Sequence, residues 1–118
     1  MSVQSEISVS VVIPTWNAAA DVARVLECLA DQQGVLFEVL VVDNGVVNRD
    51  TEVVCEGFLR RLPNLRYLRF EKQLGYAGAV NQGAAVASSD IVAVINNDNL
   101  PEPDWLAELL KEYGRRKA

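Results

Sequence analysis

The sequence predicts a single α/β domain: a mostly parallel sheet of Val-rich strands covered by helices. Three observations predict it. Apolar runs of strand length alternate with 3.6-residue apolar stripes from one end of the 118-residue chain to the other. Half of the residues are apolar yet only 7% are aromatic, so the core must come from Val, Leu, Ile and Ala, which suits a buried parallel sheet. The length holds one compact domain and is too short for two.

Strands and helices follow in strict alternation. Val9-Ser10-Val11-Val12-Ile13 is the first strand, stopped by Pro14, which has no N–H to give a ladder. Asp21 then caps a helix carrying Val22, Val25, Leu26 and Leu29, closed by Gly34. Residues 37–42 form the second strand, broken by the turn signal Asp43-Asn44-Gly45. Asp50 or Thr51 starts a helix with Val54, Phe58 and Leu62 on one face. Residues 65–70 are a third strand whose alternating arginines fit an edge position. A Gly- and Ala-rich helix over residues 77–87 has side chains small enough to pack unusually close to the sheet. Residues 91–95 make the fourth strand, ended by Asn96-Asn97-Asp98-Asn99. Pro103 stands where a first helical turn tolerates proline, and Trp105, Leu106, Leu109, Leu110 and Tyr113 give the last apolar stripe. No internal repeat, low-complexity stretch or linker interrupts the order.

Such alternation implies parallel strands joined by right-handed crossovers. Ligands of these sheets bind beyond the carboxyl ends of the strands, where the strand order reverses. Three polar clusters fall at those ends: Pro14-Thr15-Trp16-Asn17, Asp43-Asn44-Gly45 and Asn96-Asn97-Asp98.

Composition removes several function classes. A net charge of −5 and a pI of about 4.6 argue against nucleic acid as a partner. The one basic concentration, Arg115-Arg116-Lys117, reads as a solvated helix C-terminus. There is no histidine, which excludes Ser-His-Asp and Cys-His nucleophiles, His-ligated zinc and imidazole bases. Cys28 and Cys55 lie in separate predicted helices, form no CxxC pattern and read as reduced core thiols. No apolar run approaches membrane-spanning length, and residues 1–6 carry no signal-peptide pattern. The expected compartment is the cytoplasm, with a peripheral place at the inner membrane face reached through sequence outside this chain.

The clusters carry the chemistry. Asp43 has two explanations: a carboxylate satisfying turn amides after a strand, or one reading a base. An ionised carboxylate only accepts hydrogen bonds, so it suits the imide N–H of uracil or thymine, or N1–H of guanine, and not cytosine. Beside the other clusters base recognition is favoured. Asp98 in isolation reads first as a turn and helix cap. Charge balance shifts that, because two like charges about 4 Å apart cost about 4 kcal/mol at an effective dielectric of about 20. An acidic protein holding a diphosphate there needs a cation, and Mg²⁺ or Mn²⁺ bound by Asp98 and phosphate oxygens supplies one. Asn96 helps only as a neutral ligand or through water. Gly75 and Gly78 serve either a backbone approach to a ligand or close helix packing, with equal weight. Asn81 is harder to explain by packing and is a candidate ligand contact, whereas Trp16 reads as a packing aromatic. A dinucleotide site is the rival for Asp43, but residues 14–22 hold no glycine where G-x-G-x-x-G should stand.

These segments resemble the N-terminal part of family 2 glycosyltransferases of GT-A fold, especially the rhamnosyltransferase-like branch. The resemblance runs over residues 8–109. Val11-Val12-Ile13-Pro14-Thr15-Trp16-Asn17 is similar to the opening strand and loop, and Val41-Val42-Asp43-Asn44-Gly45 to the V-D-N-G-S motif. Leu74-Gly75-Tyr76-Ala77-Gly78-Ala79-Val80-Asn81-Gln82-Gly83 is similar to L-G-F-A-G-x-x-N-x-G, and Ile95-Asn96-Asn97-Asp98 to the L-N-P-D form of D-x-D. Each motif alone is weak; four in order at family spacing are strong.

The resemblance implies a Rossmann-like GT-A nucleotide-binding half with strands in the order 3-2-1-4 and helices on both faces. It implies a nucleoside-diphosphate-sugar donor of UDP or dTDP type. Pro14, Thr15, Asn17 and Asp43 would hold base and ribose, with Asn81, Asn96 and Asp98 completing the donor site. It further implies Mg²⁺ or Mn²⁺ on Asp98 and inverting transfer to a cell-surface polysaccharide or similar membrane-associated acceptor. Val46-Val47 departs from the usual Ser-Thr-Asp after the glycine, and Asn96 replaces the first acid of D-x-D. The family's catalytic base lies in an acceptor half beyond the last helix. The expectation is therefore one nucleotide-sugar-binding domain over residues 1–118, with donor binding and little transfer by this chain alone. The competing expectation is a non-catalytic module that forms a homodimer through an exposed sheet edge.

Overall fold

The computed structural model describes residues 6–117; the leader reading of residues 1–6, Glu6 apart, and the side chain of Lys117 fall outside it. The elements are β1 (Val9–Thr15), α1 (Ala19–Ala30), β2 (Phe37–Asn44), α2 (Asp50–Phe58), β3 (Leu65–Phe70), α3 (Gly75–Ala85), β4 (Val92–Val94) and α4 (Trp105–Lys117). The strands form one parallel sheet in the order β3-β2-β1-β4, as the sequence resemblance implies. β3 and β4 are its edges, which explains the arginines that alternate along β3. Among the described residues no helix is long and apolar enough to cross a membrane.

Strand alternation divides the core into two layers. Val9, Val11, Ile13, Val39 and Val41 face α1 through Val22, Val25, Leu26 and Leu29, with Cys55 of α2 and Leu106 of α4 in the same cluster. Val12, Leu40 and Val42 point the other way and pack under Ala79 of α3. A Cβ added at Gly83 would lie 2.6 Å from Val12 Cγ1, so α3 sits on the sheet closer than any side chain permits.

Several sequence boundaries move. Pro14 does not stop β1: it pairs in register with Val42. Ser10 N–H bonds to Ile91 O and Ile95 N–H to Val12 O, so the even residues of β1 address β4. β4 pairs only as far as Val12, so the Pro14 nitrogen faces a side where no ladder remains. β2 runs two residues past Val42, because Asp43 and Asn44 pair with Arg69 and Phe70. Asp21 is not the cap of α1; Ala18 holds that place and Asp21 stands in the first turn, paired with Arg24. Gly34 (φ 77°) lies beyond the Asp31 C-cap rather than at it. α3 begins and ends two residues earlier than its apolar stripe suggests. Pro103 precedes α4, whose start is instead held by Gln32: its Oε1 accepts the Leu106 N–H at 2.9 Å and its Nε2 donates to Glu102 O at 2.6 Å. The arginines of the basic tail pair with Glu112 on their own helix, as a solvated helix end would.

Candidate functional site

The three polar clusters meet at the carboxyl edge of the sheet, and side chains tie them together. Thr15, the buried last residue of β1, accepts a hydrogen bond from Asn97 Nδ2 at 2.7 Å, which fastens the loop after β4 to β1. Asn44, the last residue of β2, accepts the Leu74 N–H on Oδ1 at 2.7 Å and donates from Nδ2 to Gly75 O at 3.3 Å. That pair of bonds pins the start of α3 over the end of β2. The Tyr76 hydroxyl on the first turn of α3 donates to Asn96 Oδ1 at 3.2 Å. Gly45 has φ 102°, and a Cβ there would fall 2.6 Å from Gln73 Cγ and 3.2 Å from Trp16 Cδ1. The Trp16 indole therefore lies against the backbone of the turn, and only glycine fits beneath it. Trp16 thus packs on the turn through one side of its indole and is 52% exposed overall.

Asp43 sits inside β2 and is only 3% exposed. The turn amides considered for it, Gly45 and Val46 N–H, both go to Phe70 O at 3.0 Å. Asp43 Oδ2 instead accepts the Tyr67 hydroxyl at 2.6 Å. Burial first, then this bond and the Asp43 charge, push the Tyr67 phenol above its ordinary range and keep it a donor. Asp43 and Tyr67 lie on neighbouring strands of one face, two register steps apart. The sequence signal for Tyr67 was its alternate position in β3, but its partner follows only from the register. Nearby, Cys55 is buried and its thiol is pushed up to about 12, by burial first and then by Asp43, Glu52 and Glu56. It is a free, unreactive core thiol; Cys28 is free and half-buried.

The other predicted residues spread around this edge. Pro14 is half-buried, and Asn17 is exposed with φ 47°, a left-handed conformation that asparagine tolerates. Asn96 and Asp98 are exposed on a tight turn closed by Asn99 N–H to Asn96 O at 3.1 Å. Asp98 is no helix cap, since α4 starts only at Trp105. Asn81 is exposed on α3, six residues past Gly75 and about 9 Å along the helix axis at 1.5 Å per residue. Among the described residues it makes no hydrogen bond to the clustered groups. Gly75 has φ 74° with open space at its Cβ position, and close sheet packing falls to Gly83 instead.

Among the described residues no group of three or more His, Cys, Asp or Glu could hold a metal. The turn offers the one carboxylate of Asp98 and the amide of Asn96. Such a sparse oxygen set suits Mg²⁺ or Mn²⁺ when phosphate oxygens and water complete the shell.

Residues 10–118 match the model of glycosyl transferase family 2. The chain belongs to that family. The family-2 chain is 34% identical over 105 residues to chondroitin synthase of Escherichia coli, a match covering 86% of this chain and 15% of the relative. Its fold is similar to S. aureus TarS 1-349 in complex with UDP, with TM-score 0.80 and 25% identity over 92% of this chain and 32% of that one. It is also similar to the mannosyltransferase PcManGT from Pyrobaculum calidifontis in complex with GDP-Man and Mn²⁺, with TM-score 0.78 and 28% identity over 87% of this chain and 31% of that one. The family-2 chain thus spans a third or less of the length of these relatives.

Proposed function

We propose that this family-2 domain binds a nucleoside-diphosphate sugar of UDP or dTDP type at its carboxyl edge. It would act as the donor half of an inverting glycosyltransferase. The observation that carries the reading is the convergence of Thr15, Asp43, Asn44 and Asn96 on one edge, each joined by a side-chain hydrogen bond to a second element. TarS with UDP and PcManGT with GDP-Man and Mn²⁺ support it as relatives of the same fold.

In this reading Tyr67 occupies Oδ2 of Asp43 and leaves Oδ1 to accept an imide N–H. Pro14, Thr15 and Asn17 flank base and ribose, Asn81 reaches the donor from α3, and Asn96 and Asp98 flank the diphosphate. Asp98 would hold Mg²⁺ or Mn²⁺, whose charge would stabilise a departing diphosphate. The Asn96 form of the D-x-D segment favours the rhamnosyltransferase-like branch. No residue of this edge is assigned as the base for the acceptor hydroxyl. That role goes to the acceptor half of the family's longer chains, at the inner membrane face.

Calorimetric titration with UDP, dTDP and GDP, with and without Mn²⁺, tests the proposal. UDP or dTDP should bind, and Mn²⁺ should tighten binding by about tenfold or more, from charge neutralisation at close range. Asp98→Asn should remove the Mn²⁺ dependence and leave metal-free binding near its original value. A folded sample that binds none of the three nucleotides refutes the reading.

One observation favours the interaction-module alternative. Beside the β4 edge lies an open groove of about 640 Å³, lined by Ile91, Val92, Val94, Trp105 and Leu109. Sedimentation separates the two: a tight homodimer whose nucleotide response ignores Asp98→Ala supports the module.

A further inference from the structure

Tyr67 stands one strand away from the polar clusters, in no segment that motif reading singles out, yet among the described residues its hydroxyl is the side-chain donor on the Asp43 carboxylate. The bond is short, 2.6 Å, and joins two strands whose pairing is fixed by six residue pairs. Asp43 is 3% exposed, so its carboxylate has little water to orient it. A carboxylate free to turn about its last torsion presents either oxygen to a ligand. A hydroxyl clamped on one oxygen presents only the other. We infer that Tyr67 is a positioning residue for base recognition: it locks Asp43 so that Oδ1 alone meets the ring N–H of the nucleotide. This inference rests on the assignment of Asp43 as the base reader.

The lock has an electrostatic side. The ionisable groups around the pair are Glu52, Glu56 and Cys55 from α2, and Arg69 from β3. Glu52 and Glu56 add negative charge beside Cys55, whose thiol stays neutral. Arg69 is half-exposed and engaged with Glu71. Removing the Tyr67 hydroxyl leaves the Asp43 carboxylate free to turn, so that neither oxygen is held for the base.

The test is binding of UDP and CDP to the 118-residue chain at neutral pH, in wild type, Tyr67→Phe and Asp43→Asn. Tyr67→Phe should weaken UDP about tenfold, the worth of one hydrogen bond to a charged group. Its preference for UDP over CDP should also shrink, since cytosine offers no ring N–H to a carboxylate held in place. Asp43→Asn should bind UDP weakly and lose most of that preference. If Asp43→Asn abolishes binding while Tyr67→Phe matches wild type, the positioning role is wrong and the base reading stands. If Tyr67→Phe weakens UDP and CDP equally, its role is packing and the inference fails. If neither variant changes UDP binding, the base reading itself falls. Should Tyr67→Phe fail to fold, fluorotyrosine NMR on the wild-type sequence serves instead, with Tyr67 assigned by elimination through Tyr76→Phe and Tyr113→Phe. A Tyr67 resonance that shifts on saturation with UDP upholds the lock, and one that stays fixed overturns it.

Discussion

At Gly83 one missing methyl group sets how closely a helix meets a sheet. A Cβ there would stand 2.6 and 3.0 Å from the two methyls of Val12 and 3.3 Å from Val42 Cγ2. All three are buried β-branched groups with little room to move. Gly83→Ala is expected to destabilise the fold by about 1–3 kcal/mol, the usual cost of overpacking, measured by urea unfolding. Gly57 gives the contrast: it lies in α2 with nothing within 4 Å of its Cβ position. Gly57→Ala should stabilise by about 0.5 kcal/mol through the entropy of the unfolded chain. That α3 is a small-residue helix is plain from its sequence, and so is its closeness to the sheet. Which glycine makes the approach is not. Gly75, Gly78 and Gly83 look alike in a string, and only the helix phase relative to Val12 tells them apart. Tyr67 is hidden for a related reason. Its partner is chosen by strand register, which the local pattern of β3 does not contain.

Between elements, the largest polar feature is one that composition gave no reason to expect. Glu38 in β2 is 3% exposed and holds the opposite, amino end of the sheet together. Its Oε2 accepts the Ser10 hydroxyl and the Ser88 N–H, both at 2.5 Å, and its Oε1 accepts Ser88 Oγ and Arg66 Nη2, both at 3.1 Å. Arg66 also donates to Val86 O at the end of α3. Burial alone would raise the Glu38 carboxyl; the Ser10 hydroxyl, the Ser88 amide and hydroxyl and Arg66 outweigh it and hold the group below its ordinary 4.5. A depressed carboxyl contributes its stability in full above 4.5 and loses it as the pH falls from there through the folded value. Glu38→Gln should cost about 1–3 kcal/mol at neutral pH by leaving buried donors poorly matched. The gap to wild type should narrow below pH 4.5, which thermal melts along a pH series would show. Element types were legible throughout, because the periods of 2 and 3.6 are local. Boundaries were not. The start of α3 is drawn back by Asn44, 30 residues away, and the start of α4 is held by Gln32, 74 residues away. Pro14 reads as a stop only if its nitrogen has a neighbour to address, and the short β4 leaves it none.

Over the whole molecule, the order β3-β2-β1-β4 places the ends of β1, β2 and β4 side by side, and that juxtaposition makes the candidate site. The clustering could be read from alternation alone, since parallel strands all end on one side. The side-chain bonds that close the cluster could not. α3 crosses the sheet between two anchors, Asn44 at the carboxyl edge and Arg66 at the amino edge. Hydrogen exchange should therefore protect α3 nearly as well as the central strands, despite its weak amphipathic pattern. Val11, Val39 and Val41 should report the global unfolding energy, and residues 97–99 should exchange far faster.

That last contrast follows from the bare nitrogen of Pro14. Past Val12 the ladder between β1 and β4 has ended, and the Asn96–Asn99 turn is moored to β1 by one side-chain bond from Asn97 to Thr15. The rim is stiff over β2, where backbone pairing continues to Asn44, and yielding over β4. Asn97→Ala should quicken exchange of the turn while changing global stability by no more than about 1 kcal/mol. The turn can therefore shift by releasing two side-chain bonds, Asn97 to Thr15 and Tyr76 to Asn96, without unzipping a strand.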